Sequence, residues 1–264
     1  LDVNPDQPDT LQHLFYLRQK ICAWPLTITP IPLSVDQFAA RLGTLSAMAY
    51  FDDVGLVYRA CRAWYERFLE KEKPQILPPA PAYQHQRKRI GYVSGDFRMH
   101  AVGFLIAELF ERHDRNFFEV IGFDFSADDK SHWRQRMIRG MDQCFALHDL
   151  SDAEAANVIR QQEIDILVDL MGPTANSRPG ILMRKPAPIQ VSYLGFLGPN
   201  AIPQIDYLIC DDYVIPAGAE DGYGAQLIRL PFYQINNSLR TLGPIPDRAA
   251  QGASRKRVRF LCDQ

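Results

Sequence analysis

Paired cysteines are missing from this sequence. Its five thiols, Cys22, Cys61, Cys144, Cys210 and Cys262, are scattered, odd in number and never at C-x-x-C spacing. That argues against a zinc site or a disulfide framework and for a reducing compartment such as the cytoplasm. Long apolar runs are missing too. None approaches the roughly 18 residues of a membrane-spanning helix, and the opening LDVNPDQPDT lacks the basic flank and apolar core of a secretory signal. Charge of one sign is absent as well: 29 Lys and Arg stand against 31 Asp and Glu, a net charge of -2. Neither nucleic acid nor a membrane is an expected partner, since basic character is confined to HQRKR and SRKRVR. The stretch GYVSGDF is no G-x-G-x-x-G dinucleotide signature, and no serine nucleophile elbow occurs. His113, His132 and His148 have no partner at metal-ligand spacing, so no metal is expected. Asp128 and Asp129 read as a strand end rather than a glycosidase pair, for want of a facing acid.

What is present suits a soluble globular chain. With 47% hydrophobic and 23% charged residues over 264 positions, there is material for one large domain or a domain with an extension. A helical rhythm runs through DTLQHLFYLRQKICAW and DDVGLVYRACRAWYERFLEKE, interrupted by the prolines of PLTITPIPLS, so residues 1–72 form a helical arm. The proline-rich and charged stretch KPQILPPAPAYQHQRKR then marks a linker at 73–87. Trp24, Trp64 and Tyr65 in the arm read as helix packing.

Beyond the linker the pattern changes. Apolar runs of strand length occur at 89–93, 118–125, 164–170, 189–194, 207–210 and 227–230, several separated by helical segments such as 101–111 and 152–161. Strands apolar on both sides and alternating with helices predict an α/β domain with a mainly parallel sheet covered on both faces, over 88–253. Ser151 and Glu154 form a capping box for the helix from Asp152. Ligands in such sheets bind outside the carboxyl ends of the strands, which selects SGDFRMH, MGPTANSRPG and LGFLGPN as loops facing one crevice. SRKRVRFLCDQ looks like a connection into the opening strand, Val258 to Cys262, of a further unit starting at 254.

Each loop carries candidates with two readings. His100, opening a helix at Ala101, can take a proton from a hydroxyl as a neutral imidazole, or it is a loop residue that caps locally. Asp96 holds the loop through backbone N–H groups, or it orients a ligand or His100. The loop from Gly172 offers Thr174, Asn176, Ser177 and Arg178 to an oxygen-rich ligand, or merely caps the next helix. YLGFLGPN either presents aromatic surface at Tyr193 and Phe196, with backbone amides at Gly195 and Gly198, or is a plain tight turn.

Four ordered stretches are specific in combination: RIGYVSGDFRMHAVGFLIAELFERHDRNFFEVIGF, DILVDLMGPTANSRPGILMRKPAPIQVSYLGFLG, IDYLICDDYVIP and LIRLPFYQINN. Together they resemble the SPINDLY-like and O-linked N-acetylglucosamine transferase family, its bacterial members in particular, closely over 88–264 and more loosely over the arm. The resemblance implies a Rossmann-like sheet forming one half of a two-domain glycosyltransferase B fold, preceded by the end of a tetratricopeptide-repeat region. It implies inverting transfer of N-acetylglucosamine from UDP-N-acetylglucosamine to Ser or Thr of a protein or peptide, the nucleotide sugar being a substrate and no cofactor being required. Some relatives use GDP-fucose. A second catalytic domain is implied as the partner holding most of the nucleotide-binding groups, so the fragment alone is expected to be inactive. His100 matches the family histidine after the D-F-x-x-H turn, the implied base. Asp96, Gly172, Thr174, Gly195, Phe196, Leu197 and Gly198 fall on the implied acceptor or sugar site. Cys144 stands where the family has a second histidine, and Pro173 and Leu197 also depart from the pattern. Those departures motivate the alternative of a non-catalytic peptide- or partner-binding module.

Overall fold

Four helices build the arm in the computed structural model, which describes residues 8–24, 33–235 and 237. They are α1 (Pro8–Lys20), α2 (Val35–Arg41), α3 (Thr44–Tyr50) and α4 (Val54–Lys71). The sequence pattern revealed only α1 and α4, because α2 and α3 have seven residues each, too few to display a period. Their starts are nonetheless defined chemically. Ser34 and Gln37 form a capping box on α2, and the Asp53 carboxylate accepts from the N–H groups of Gly55 and Leu56 on α4. Leu11, Phe15, Phe38, Leu42, Ala47 and Ala60 make the arm's own core, with Phe15 and Phe38 edge to face at 5.1 Å.

The segment after α4 has no helix or strand, as its prolines require, yet it is tied down along its length. Leu77 N–H donates to Arg184 O at 2.9 Å, and Arg160 donates to Pro78 O at 2.6 Å. His85 sits between two carboxylates, Asp165 at 2.9 Å and Glu163 at 3.0 Å.

Next come β1 (Lys88–Ser94), α5 (Ala101–Arg112), β2 (Phe118–Asp124), α6 (His132–Arg139), β3 (Gln143–Ala146), α7 (Asp152–Gln161), β4 (Ile166–Asp169), α8 (Pro179–Met183), β5 (Ile189–Ser192), β6 (Tyr207–Cys210) and β7 (Gln226–Arg229). The strands form one parallel sheet in the order β3-β2-β1-β4-β5-β6-β7. β3 is the strand the sequence did not announce. It is an edge strand in which no residue is buried, so it carries no apolar run. The mainly parallel α/β sheet expected from the alternation is the sheet found.

Both faces are covered. Ile90, Tyr92, Val120 and Val168 pack with Ile106 and Phe110 of α5 and Met137 of α6. On the other face Val93, Ile121, Phe123 and Leu167 meet Ala155 and Ile159 of α7 and Ile181 of α8, and Trp64 and Phe68 of α4 extend that cluster. The arm is therefore packed onto the sheet directly. Ser151 and Glu154 cap α7 reciprocally, as their spacing predicts. After β7 the chain returns across the sheet: Tyr193 donates to Tyr233 O at 2.9 Å and the Asn237 amide donates to Phe104 O on α5. Among the described residues no helix is long and apolar enough to cross a membrane. The expected strand at 258–262 and the unit beginning at 254 lie outside the described residues.

Candidate active site

The strand order reverses between β1 and β4, because the chain runs outward through β2 and β3 and then returns to the other side of β1. Loops leaving the two strands diverge there and open a crevice at the carboxyl edge of the sheet. An open cleft of about 510 Å³ occupies this place, and loops following β1, β4 and β5 all reach it. Of the expected site residues, Asp96, His100, Thr174 and Gly195 line it, joined by Asn176.

The β1 loop is fixed on both sides of the histidine. Phe97 is fully buried, its N–H donates to Ser126 Oγ at 2.8 Å, and its carbonyl accepts from Arg134 at 3.0 Å. Met99 N–H donates to Asp129 Oδ2 at 2.7 Å. Burial pushes the Asp129 carboxyl up, but the N–H groups of Met99 and Ser131 outweigh it and hold the group below the usual carboxylate range. His100 is the N-cap of α5 in an extended conformation, and Val102 N–H donates to its Nδ1 at 3.3 Å. Asp96 is buried, with one oxygen 3.3 Å from Arg98 and the other 3.4 Å from His100 Nδ1. The imidazole keeps 39% of its side-chain surface exposed, so it can both cap and meet a ligand.

Beneath the β4 loop lies Asp169, which the sequence reading passed over. Burial pushes its carboxyl up to about 6, opposed by N–H donation from Gly172 at 2.9 Å and Met171 at 3.0 Å. The turn it holds puts Gly172 at φ +61, in the left-handed region that favours glycine. Thr174 donates to Met171 O at 3.2 Å. Arg178 does not face the cleft. Its guanidinium binds Asp152 at 2.7 Å and the carbonyls of Leu147 and Leu150, tying this loop to the start of α7. Ser177 likewise turns back to Thr174 O.

The third loop corrects the expectation of aromatic surface. Tyr193 and Phe196 are 4% and 3% exposed, so neither ring is offered to a ligand. Phe196 is seated in a pocket formed by Val57 and Cys61 of α4, with Met48 of α3 alongside. Gly198 lies against the Phe196 ring and Met48, and Leu197 is exposed; none of these three lines the cleft. The arm instead contributes Leu45, which does line it, and Thr44, which donates to Pro173 O. Cys144 is on β3, paired with Gly122, away from the cleft; burial pushes its thiol up to about 11. Leu45 had no local signal, and Asp129, read with Asp128 as a strand end, lies instead in the loop beyond β2, which ends at Asp124. Asp169 had a local signal, since it ends the apolar run ILVD at the carboxyl edge of a strand.

The profile of glycosyl transferase family 41 matches residues 67–238. The chain belongs to glycosyl transferase family 41. Relatives include the probable UDP-N-acetylglucosamine–peptide N-acetylglucosaminyltransferase SEC of Arabidopsis thaliana. It is 34% identical over 72% of this chain and 20% of its own length. The rice protein SPINDLY, which carries the same enzyme description, is 30% identical over 76% of this chain and 22% of its own length. This family 41 chain thus spans about a fifth of these relatives. A mutant of the Thermobaculum terrenum O-GlcNAc transferase shares the fold with a TM-score of 0.63 and 25% identity, over 89% of this chain and 53% of the other. The sheet and its preceding helices correspond to one Rossmann-like half of a glycosyltransferase B fold.

Proposed function

We propose that this chain forms the acceptor-side half of a protein O-glycosyltransferase that moves N-acetylglucosamine from UDP-N-acetylglucosamine to a Ser or Thr hydroxyl, with inversion at the anomeric carbon. The observation that carries the reading is the meeting of three strand-end loops at the switch point of the sheet, with a half-exposed histidine among hydroxyl, amide and backbone groups. The donor is that named for the plant relatives. His100 takes the hydroxyl proton as the oxygen attacks. Thr174, Asn176 and the backbone at Gly195 bind sugar or acceptor oxygens. Gly172, Phe196 and Gly198 act by shaping the loops, and Leu197 is an exposed residue of the third loop. In this reading residues 1–72 are an arm ending a repeat region, 73–87 a connection and 88–253 the first catalytic domain. A second domain supplies the cationic and N–H groups that stabilise the departing diphosphate. The protein works in the cytoplasm.

The test is single-turnover transfer by the full-length gene product, with UDP-N-acetylglucosamine and GDP-fucose offered separately. His100→Ala is expected to slow transfer by about 10²- to 10⁴-fold, the usual contribution of a positioned base, with donor affinity and the circular dichroism spectrum retained. An unchanged rate in folded H100A removes His100 from the chemistry. Transfer from GDP-fucose alone corrects the donor.

A further inference from the structure

Two partners compete for one nitrogen. His100 Nδ1 lies 3.3 Å from Val102 N and 3.4 Å from Asp96 Oδ2, and in a neutral ring it can serve only one of them. As acceptor from Val102 N–H, Nδ1 has no proton, and the ring's proton sits on Nε2. That tautomer is a helix cap with no lone pair left for a substrate hydroxyl. With Nδ1 protonated and donating to Asp96, Nε2 carries the free lone pair that a proton acceptor needs. Asp96 is suited to hold the second state. It is buried, and its other oxygen is occupied by Arg98 at 3.3 Å, so the carboxylate is anchored rather than free to swing into water.

We propose that Asp96 is a positioning residue that sets the tautomer of His100, turning it from helix cap into proton acceptor. This rests on the reading of His100 given above. In the transfer step the acceptor O–H bond breaks and an Nε2–H bond forms. The oxygen's electron pair makes the bond to the anomeric carbon, and the nucleotide diphosphate leaves with the pair of the broken glycosyl bond. The Nδ1 proton stays on the His100 ring throughout, pointing at the Asp96 carboxylate.

Long-range proton–nitrogen correlation spectra of the histidine-labelled chain at about pH 8.5, where an ordinary imidazole is neutral, distinguish the tautomers directly. H100Q identifies the resonance. The wild type is expected to show an Nδ1–H population that D96A converts to Nε2–H and D96E restores. The same tautomer in wild type and D96A overturns the proposal. If D96A does not fold, D96L, which keeps much of the side-chain volume and removes the acceptor oxygens, is read in the same way. In the full-length gene product, D96A is expected to lower kcat by about 10- to 10⁴-fold, the range spanned by loss of histidine-orienting carboxylates, with the donor KM little changed. Wild-type kcat in D96A alongside a slow H100A also overturns it. Should H100A itself be fast, the functional reading falls, and the spectra decide the tautomer assignment independently.

Discussion

A side chain at Gly195 has nowhere to go. Its Cβ would lie 1.9 Å from the Leu170 carbonyl oxygen and 2.6 Å from the carbonyl carbon. Both are backbone atoms, and Leu170 is itself held by its N–H to Val93 O at 3.1 Å, so the contact cannot relax locally. Gly195→Ala is expected to cost about 2 to 3 kcal/mol, at the upper end for a single substitution. A shift of the urea midpoint to lower concentration checks it, and an unmoved midpoint contradicts it. The preceding residue is already strained: Leu194 has φ +69 at the centre of a γ-turn closed by Gly195 N–H to Tyr193 O at 2.8 Å. At this scale the sequence was informative where the partner is local. His100 is legible because strand, polar loop and helix follow without interruption, which places the residue opening the helix at the carboxyl edge. Leu45 and Asp129 are not, because they arrive from α3 and from the loop after β2, and only the tertiary fold sets that proximity. Phe196 fails in the opposite sense. An aromatic between two glycines looks like ligand surface, and its burial is decided by Val57 and Cys61, far along the chain.

Helix α5 is held differently at its two ends. Its start is capped by the site histidine, while beyond its end His113 Nε2 lies 2.8 Å from the hydroxyl of the buried strand residue Tyr92. Burial lowers the His113 pKa, Arg115 lowers it further, and Asp142 opposes them. The folded protein therefore favours the neutral imidazole, the form that can accept from Tyr92. Unfolded, the group returns to its ordinary pKa of 6.5. As pH falls below that value the unfolded chain takes up a proton that the folded chain refuses, so stability drops until the lower folded-state pKa has been passed. The loss is expected in unfolding free energies measured as pH is lowered through 6.5 and should be smaller in H113Q; equal slopes would assign the pH dependence elsewhere. Element by element, the strands buried on both faces and the capped helix α7 could be read from apolar runs and a capping box. β3, α2 and α3 could not, being respectively a half-exposed edge and two helices of barely two turns.

The arm and the sheet behave as one folded body in this molecule. Phe196, Trp64 and Phe68 lie in the seam, Thr44 bonds Pro173, and Arg184 pairs with Glu72 at 2.6 Å. A variant lacking residues 1–72 would uncover the Phe196 pocket and part of the core cluster under α4. It is expected to be insoluble or to lose cooperative unfolding, whereas recovery as a monomer with a sharp urea transition would show the sheet to be autonomous. The proline-rich segment at 73–87 invites the opposite expectation, since its composition is that of a spacer between independent parts, but its docking on Arg184, Arg160, Glu163 and Asp165 makes it a strap. For anyone building hybrids, this moves the cut point. A junction placed in the prolines would sever the cleft from Leu45 and from the seat of Phe196, so a foreign helical region has to be spliced upstream of the arm. The wall that carries Leu45 travels with the helices, and exchanging them changes what the cleft presents.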